Sequence, residues 1–212
     1  MKVLGLDSSG LVAGVALIQD DVLIAEYTTD YKKTHSQTLL PMLDELRRMV
    51  DLDLKSIDLI AVAAGPGSFT GLRIGSATAK GLGLALDIPL AAVPTVDALA
   101  YNLYGCEQLI CPMMDARRGQ VYTGIYTFVN GEMQVIQEQC AISVEELAGR
   151  LKEECEKCGK KVVLLGDGVP VYREKVQEIL QEQCEFAPAS CNRQRAACVA
   201  VLGQSLAAAG KT

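Results

Sequence analysis

The residues that decide the fold are a short motif and its second copy: LGLDSSG at residues 4–10 and PMMDARRG at residues 112–119. In each copy an apolar strand ends at an aspartate, Asp7 or Asp115. A turn containing glycine then leads into a longer strand of alternating character. The repetition predicts that the chain is an internal duplication.

Strands and helices alternate around these two motifs, which indicates the α/β class. We place the boundary between the halves so that the domains span residues 1–107 and 108–212. The predicted strands are 2–6, 12–18, 22–28, 57–64, 89–93, 109–114, 120–127 and 162–165. The predicted helices cover 39–50 and 71–87, begin at Thr95, Val144 and near Pro170, and end with 194–209.

Composition excludes several classes of protein. The chain has 212 residues, of which 50% are hydrophobic and 22% charged, so disorder and low-complexity structure are excluded. Its formal net charge is -6, whereas proteins that bind nucleic acid without a partner protein usually present a basic surface. No uncharged stretch approaches the roughly 20 residues that a membrane span needs, so we expect a cytoplasmic protein without membrane contact.

Metal chemistry has little support in the sequence. The eight cysteines include one close pair, Cys155 and Cys158, in a stretch rich in Glu and Lys. The other cysteines lack the spacing of a zinc site, so we expect reduced thiols. His35 is the only histidine, and we expect it to cap a helix or lie at the surface.

A glycine-rich segment, residues 65–71, follows a predicted strand and opens a helix. Backbone amides at such a place can bind an anion. The segment fits neither the P-loop nor the dinucleotide pattern, because Thr70 replaces the second P-loop glycine. A tight turn and a phosphate site both remain open. With Asp7 and Asp115 at strand ends, the candidate nucleotide or phosphate residues are Asp7, Ser8, Ser9, Gly67, Ser68 and Asp115.

The helix after this segment carries small residues at every fourth position, namely Gly71, Gly75, Ala79 and Gly83. Each interior glycine costs about 0.5–1 kcal/mol relative to alanine, so a close backbone approach must compensate. That approach is either packing inside the domain or a contact with another subunit, beside the 39–50 helix. The candidate interface residues are Leu39, Leu43, Leu46, Gly71, Leu72, Gly75, Ala79, Leu82 and Gly83.

Arginines supply the remaining candidates. Arg73, Arg117 and Arg118 are most simply solvated charges or contacts to an anion.

Three strings resemble one family. HSQTLLP at 35–41, GPGSFTGLRIG at 65–75 and DAR with GQVY at 115–122, together with the start of the chain, are similar to the TsaB family, also called YeaZ. That family serves bacterial synthesis of threonylcarbamoyladenosine in transfer RNA. The resemblance is closer in the first half than in the second.

The resemblance implies an ASKHA fold, which is actin-like and ribonuclease H-like, with two subdomains of mixed sheet flanked by helices. It also implies a non-catalytic scaffold that docks on the TsaD-type catalytic subunit through its first two helices, or on a second copy of itself. The catalytic subunit binds metal through paired histidines, whereas here Leu39 stands four residues after His35.

The resemblance further implies a TsaE-type ATPase in the same complex and only indirect contact with transfer RNA. No cofactor is required, and ATP with magnesium would act in the complex. The alternative function is weak ATP binding or hydrolysis. A metallopeptidase is disfavoured, since no metal pair and no activated nucleophile is present.

Overall fold

The computed structural model describes residues 1–31 and 33–212, which form ten strands and six α-helices. The strands are β1 Lys2–Asp7, β2 Ala13–Gln19, β3 Val22–Thr29, β4 Leu59–Ala63, β5 Leu90–Val93, β6 Leu109–Arg117, β7 Gln120–Val129, β8 Glu132–Ser143, β9 Val162–Leu165 and β10 Cys184–Phe186. The helices are α1 His35–Met49, α2 Phe69–Leu86, α3 Thr95–Ala100, α4 Val144–Cys158, α5 Val169–Leu180 and α6 Ala196–Ala208.

The two sheets have the same topology, which confirms the predicted duplication. The first has the strand order β3-β2-β1-β4-β5 and the second the order β8-β7-β6-β9-β10. The central strand is β1 in the first sheet and β6 in the second. Each pairs antiparallel with the strand that follows it in the chain, β2 or β7, and parallel with the fourth strand of its own sheet in chain order, β4 or β9. Each sheet is therefore mixed. β1 ends at Asp7 as predicted, whereas β6 continues two residues beyond Asp115, to Arg117.

The first sheet is covered on both faces. On one face α1 and α2 pack against Leu4, Leu6 and Val62 in a continuous apolar cluster. On the other face Val199 and Ala200 of α6 lie against the sheet. Because both faces are buried, β1 and β4 are apolar almost throughout, as the sequence suggested.

The second sheet buries Leu147 and Leu151 of α4 and Val176 of α5 on one face. Ser143 accepts a hydrogen bond from the Glu146 amide (3.1 Å), so it caps α4, which begins at Val144 as predicted. Tyr104 packs edge-on against Phe128, with ring centroids 5.2 Å apart.

The boundary between the compact units differs from the predicted one. The first unit consists of residues 1–98 and 194–212, and the second of residues 99–193. The C-terminal segment joins the first unit because α6 can approach its sheet closely. A Cβ at Gly5 would overlap the Ala196 carbonyl oxygen, and a Cβ at Gly203 would overlap the Ala61 side chain.

Two of the observed strands differ from the sequence predictions, whereas α3 begins at Thr95 as predicted. β8 and β10 were not predicted, because β8 is exposed along most of its length and β10 has only three residues. The hydroxyl of Thr95 accepts a hydrogen bond from the Gly65 amide (3.0 Å) and so anchors the glycine-rich loop.

All eight cysteines are free thiols. Cys155 is buried in the core of the second unit and Cys158 is exposed, which agrees with packing and surface roles. None of the helices in the described ranges is long and apolar enough to cross a lipid bilayer.

Candidate functional site

The first candidate loop follows β1 and is built around Asp7. The carboxylate Oδ1 accepts hydrogen bonds from the Ser9 amide (2.9 Å) and the Ser9 hydroxyl (2.6 Å), which closes an Asx turn. The Ser8 hydroxyl donates to the Gly71 carbonyl oxygen (2.9 Å) and ties the loop to α2. Asp7, Ser8 and Ser9 are all buried.

The glycine-rich segment lies directly on this loop. The Ser68 amide donates to the Ser9 carbonyl oxygen (2.6 Å), and a Cβ at Gly67 would overlap that oxygen. The Ser68 hydroxyl accepts from the Gly71 amide (3.3 Å) and caps α2. Five of the six residues predicted to bind phosphate are thus brought together. Most of their polar groups, however, form hydrogen bonds within the two loops and the start of α2.

The sixth predicted residue, Asp115, repeats the Asx turn in the second unit. Its Oδ1 accepts from the Arg117 amide (2.9 Å) and from the Tyr172 hydroxyl (3.1 Å), while its own amide donates to Asp167 Oδ1 (3.1 Å). Burial raises the pKa of Asp167 above its usual range. The sequence did not single out Tyr172 or Asp167, although the Gly-Asp-Gly string at 166–168 marks the turn that places Asp167.

Several buried polar atoms surround the Asp7 loop. Among residues 1–31 and 33–212, Asp7 Oδ2, His35 Nδ1 and both amide atoms of Gln194 are buried without a hydrogen-bond partner. Burial raises the pKa of the Asp7 carboxyl, because it removes the charged form from water. Gln194 was missed by sequence reasoning because it is 184 positions from Gly10, against which its amide packs.

His35 holds α1 to this loop. Its Nε2 lies 2.9 Å from the Gly10 carbonyl oxygen, so Nε2 carries the proton and donates it. The residue is half-buried at the first position of α1, and it is a tether rather than the predicted cap or surface residue.

The predicted interface residues lie on the inner faces of their helices, and this corrects the expectation that they form a docking surface. Leu39, Leu43 and Leu46 are at most 5% exposed in the core beneath α1. On α2 the four small residues are buried as well.

The glycines are explained by packing inside the unit, which was one of the two alternatives. A Cβ at Gly71 would overlap the Ser8 carbonyl oxygen, and one at Gly75 would lie 2.6 Å from the Ser8 hydroxyl. At Gly83 it would lie 3.0 Å from the Ile88 carbonyl oxygen. The two remaining predicted interface residues, Leu72 and Leu82, are half-buried.

The outer faces of α1 and α2 instead expose other apolar side chains. Leu40 and Met49 of α1 are 54% and 66% exposed, and Phe69 and Leu84 of α2 are 69% and 89% exposed. We call these four residues, with exposed Gly81, the outer apolar face. This face was not predicted, because the small residues at every fourth position lie on the opposite side of α2 and the predicted interface was based on them.

Two copies of one mixed sheet, each with an aspartate near the end of its central strand, define the actin-like, or ASKHA, class of fold. The ethanolamine utilization protein EutJ from Carboxydothermus hydrogenoformans has the same fold (TM-score 0.52, 13% identity, 97% of this chain and 88% of that one). YeaZ from Pseudomonas aeruginosa is much more similar (TM-score 0.81, 28% identity, 99% of this chain and 93% of that one).

Sequence comparison places the chain more narrowly. The family model described as TsaD, tRNA N6-adenosine threonylcarbamoyltransferase, matches residues 23–211. The tRNA threonylcarbamoyladenosine biosynthesis protein TsaB of Bacillus subtilis is 35% identical over 209 residues, which are 99% of this chain and 90% of the relative. The chain belongs to the TsaB family of tRNA threonylcarbamoyladenosine biosynthesis proteins.

Proposed function

We propose that this chain is a non-catalytic subunit that docks on a TsaD-type catalytic subunit through the outer apolar face. The observation that carries the proposal is Leu84, which is 89% exposed in the last turn of α2, a helix whose opposite face is buried. Several exposed large apolar side chains on two adjacent helices are typical of a protein–protein interface.

Gly81 supports the same surface. A Cβ at this position would have nothing within 4 Å in the described part of the chain. The other three glycines of α2 are required by internal packing, but Gly81 is not. A partner that approaches α2 closely would account for a glycine that otherwise destabilises the helix by about 0.5–1 kcal/mol.

The charges on α2 indicate which kind of partner surface would match it. Between Phe69 and Leu86 the helix carries Arg73 and Lys80 and no acidic residue, although the chain as a whole has a net charge of -6. The Arg73 guanidinium lies 3.9 Å from the centroid of the Phe69 ring. A neutral or acidic partner surface is therefore a better match than the same face of a second copy, where these cations would meet.

The non-catalytic role is supported by the environment of His35. Its ring donates to the backbone of Gly10, and Leu39, four residues further on, is 1% exposed in the core. A pair of metal-binding histidines at these two positions would require the helix to turn its core face outward.

The test is sedimentation of the chain with an equimolar TsaD-type catalytic subunit. Leu84→Glu should weaken the heterodimer by roughly thirtyfold or more, as expected for an interface anchor. Val171→Glu is the matched control, because Val171 is 59% exposed on α5 of the second unit. Normal association of the Leu84 variant would overturn the proposal.

A second pair of variants tests the close approach at Gly81. Gly81→Leu should weaken the heterodimer, whereas Gly149→Leu, which also points into open space from an exposed helix position, should not. Adding a TsaE-type ATPase to the same mixture tests whether the larger complex forms. Sedimentation of the chain without the catalytic subunit tests for a homodimer.

Nucleotide binding is the second candidate function, and the unpartnered atoms around Asp7 are the observation that favours it. Against it, the Ser68 amide and the Ser68 hydroxyl are engaged within the loops. Calorimetric titration with magnesium–ATP should give no binding heat for the isolated chain. Saturable heat that Asp7→Asn abolishes would favour an ATP site over a purely structural loop.

A further inference from the structure

The hairpin between β6 and β7 has an unusual pair of residues at its tip. Arg117 and Arg118 both have positive φ angles, 68° and 55°. The left-handed region is uncommon for residues other than glycine, and among them asparagine and aspartate are several-fold enriched. Arg118 and Gly119 form the two-residue connection, since Arg117 pairs with Gln120.

Two other hairpins in the chain show what the turn itself requires. Between β2 and β3 the left-handed position is Asp20 (φ 54°), and between β7 and β8 it is Asn130 (φ 53°) followed by Gly131. These are the residue types that such a turn favours. The arginines at the third hairpin are therefore not explained by chain reversal.

The backbone of this hairpin is held firmly. Asp115 accepts from the Arg117 amide, as described above, and the Gly119 carbonyl oxygen accepts from the Val144 amide at the start of α4 (3.1 Å). The side chain of Arg117 is 82% exposed, and Arg118 is also exposed. The fold thus presents two guanidinium groups to solvent on a fixed support.

The neighbouring acids pair with only one of the two arginines. Arg117 Nη1 lies 3.5 Å from Asp115 Oδ2, and within the described ranges Arg118 forms no ion pair. The acids in the first turn of α4 are already engaged: Glu145 pairs with Lys175 and Glu146 with Arg150.

We infer that Arg117 and Arg118 bind phosphate groups of the RNA substrate. The inference rests on the proposed function only in taking a transfer RNA as the macromolecule that the assembled protein handles. The planar guanidinium matches a phosphate with two hydrogen bonds. Protein interfaces use arginine too, but usually beside a central aromatic or aliphatic anchor, and the hairpin tip offers only guanidinium groups and Gly119.

This contact would be local. The chain's net charge of -6 gives no general attraction to RNA. A pair of arginines on one turn can still neutralise one or two phosphates.

The test replaces each arginine by a residue that its backbone favours: Arg117→Gly and Arg118→Asn. Both changes should raise the melting temperature, by roughly 1–4 °C, because they relieve the left-handed conformation. Both should weaken transfer RNA binding to the complex with the catalytic subunit, roughly fivefold each at about 0.1 M salt. The slope of log affinity against log salt should fall by about 0.7–0.9 per arginine. Fluorescence anisotropy measures both quantities.

Arg150→Asn is the control, since it removes one positive charge from an arginine that is paired with Glu146. Unchanged affinity and salt dependence in the hairpin variants would overturn the inference. Loss of subunit assembly with these variants would also overturn it, in favour of a protein contact.

Failure of the docking proposal would be distinguishable from failure of the RNA contact. If the wild-type chain does not assemble with the catalytic subunit, the same titration is done with the chain alone at low salt. A weaker signal for the double variant there supports the RNA contact, and an identical signal contradicts it.

Discussion

At the scale of single residues, the same substitution should have opposite effects at two glycines of α2. Gly71→Ala places a Cβ against the Ser8 carbonyl oxygen and 3.2 Å from His35 Cδ2, so it should destabilise the fold by about 1–3 kcal/mol. Gly81→Ala meets open space and should stabilise it by about 0.5–1 kcal/mol. Urea unfolding of both variants measures the two changes. Equal effects would show that helix propensity, and not packing, decides the stability at these positions.

Asp7 makes a pH-dependent contribution whose sign follows from its raised pKa. A carboxyl with a higher pKa in the folded state binds its proton more tightly there. The associated stability is complete below the ordinary pKa of 3.8 and is lost as the pH rises through the folded-state pKa. Burying the charged form at neutral pH is therefore unfavourable.

Asp7→Asn should remove this penalty while an amide oxygen still accepts from Ser9. We expect a gain of about 1 kcal/mol at neutral pH that disappears below the ordinary pKa of 3.8. Denaturant unfolding across the pH range checks it, with Asp21→Asn, at the exposed β2–β3 turn, as the control. A gain that does not vary with pH would exclude desolvation as its cause.

Some residue roles could be predicted from the sequence, and others could not. The turn aspartates, the Ser143 cap and the need for a close approach at the α2 glycines all follow from local rules. Which segment packs closely against these glycines is decided by the tertiary structure. The inner face of α2 was therefore mistaken for a docking face. Gln194 and Tyr172 reach their sites only through long-range contacts.

At the scale of elements, one side chain of β3 anchors the start of α6. Glu26 accepts from the Arg195 side chain (Nε, 3.0 Å) and from the Ala197 amide (3.1 Å), so it satisfies the first turn of the helix. Glu26→Ala should cost about 1–3 kcal/mol, because both groups are partly buried.

Glu185→Ala is the matched control for that measurement. Glu185 pairs with Lys161, but both side chains are more than half exposed. Exposed pairs of this kind contribute little. Thermal unfolding should therefore show a clear loss for the Glu26 variant and no measurable change for the control. A similar loss in both would indicate a general charge effect.

Element prediction failed where the physical signal is weak. β8 is an edge strand rich in Gln and Glu and largely exposed, so it lacks the period-two apolar pattern of a half-buried strand. β9 was predicted with its observed bounds, because Val162–Leu165 is a short apolar run ended by glycine.

At the scale of the whole molecule, the sequence predicted the duplication but not the course of the C-terminal helix. Chain order assigned residues 194–212 to the second half, whereas α6 covers a face of the first sheet. An apolar, alanine-rich helix fits against either sheet by pattern alone. What selects the first sheet is the set of glycines, Gly5 and Gly14 on the sheet and Gly203 on the helix, that let the backbones approach.

Removal of α6 should therefore affect the two units unequally. A chain that ends at Arg193 exposes the face of the first sheet formed by Val3, Leu59 and Val93, and that sheet should lose most of its stability. Hydrogen exchange should show loss of amide protection in β1 and β4, with β6 and β9 still protected. A chain that lacks only residues 210–212, which are exposed, should exchange like the full chain. Equal loss in β6 and β9 would contradict the division into two units, because it would mean that α6 stabilises both sheets.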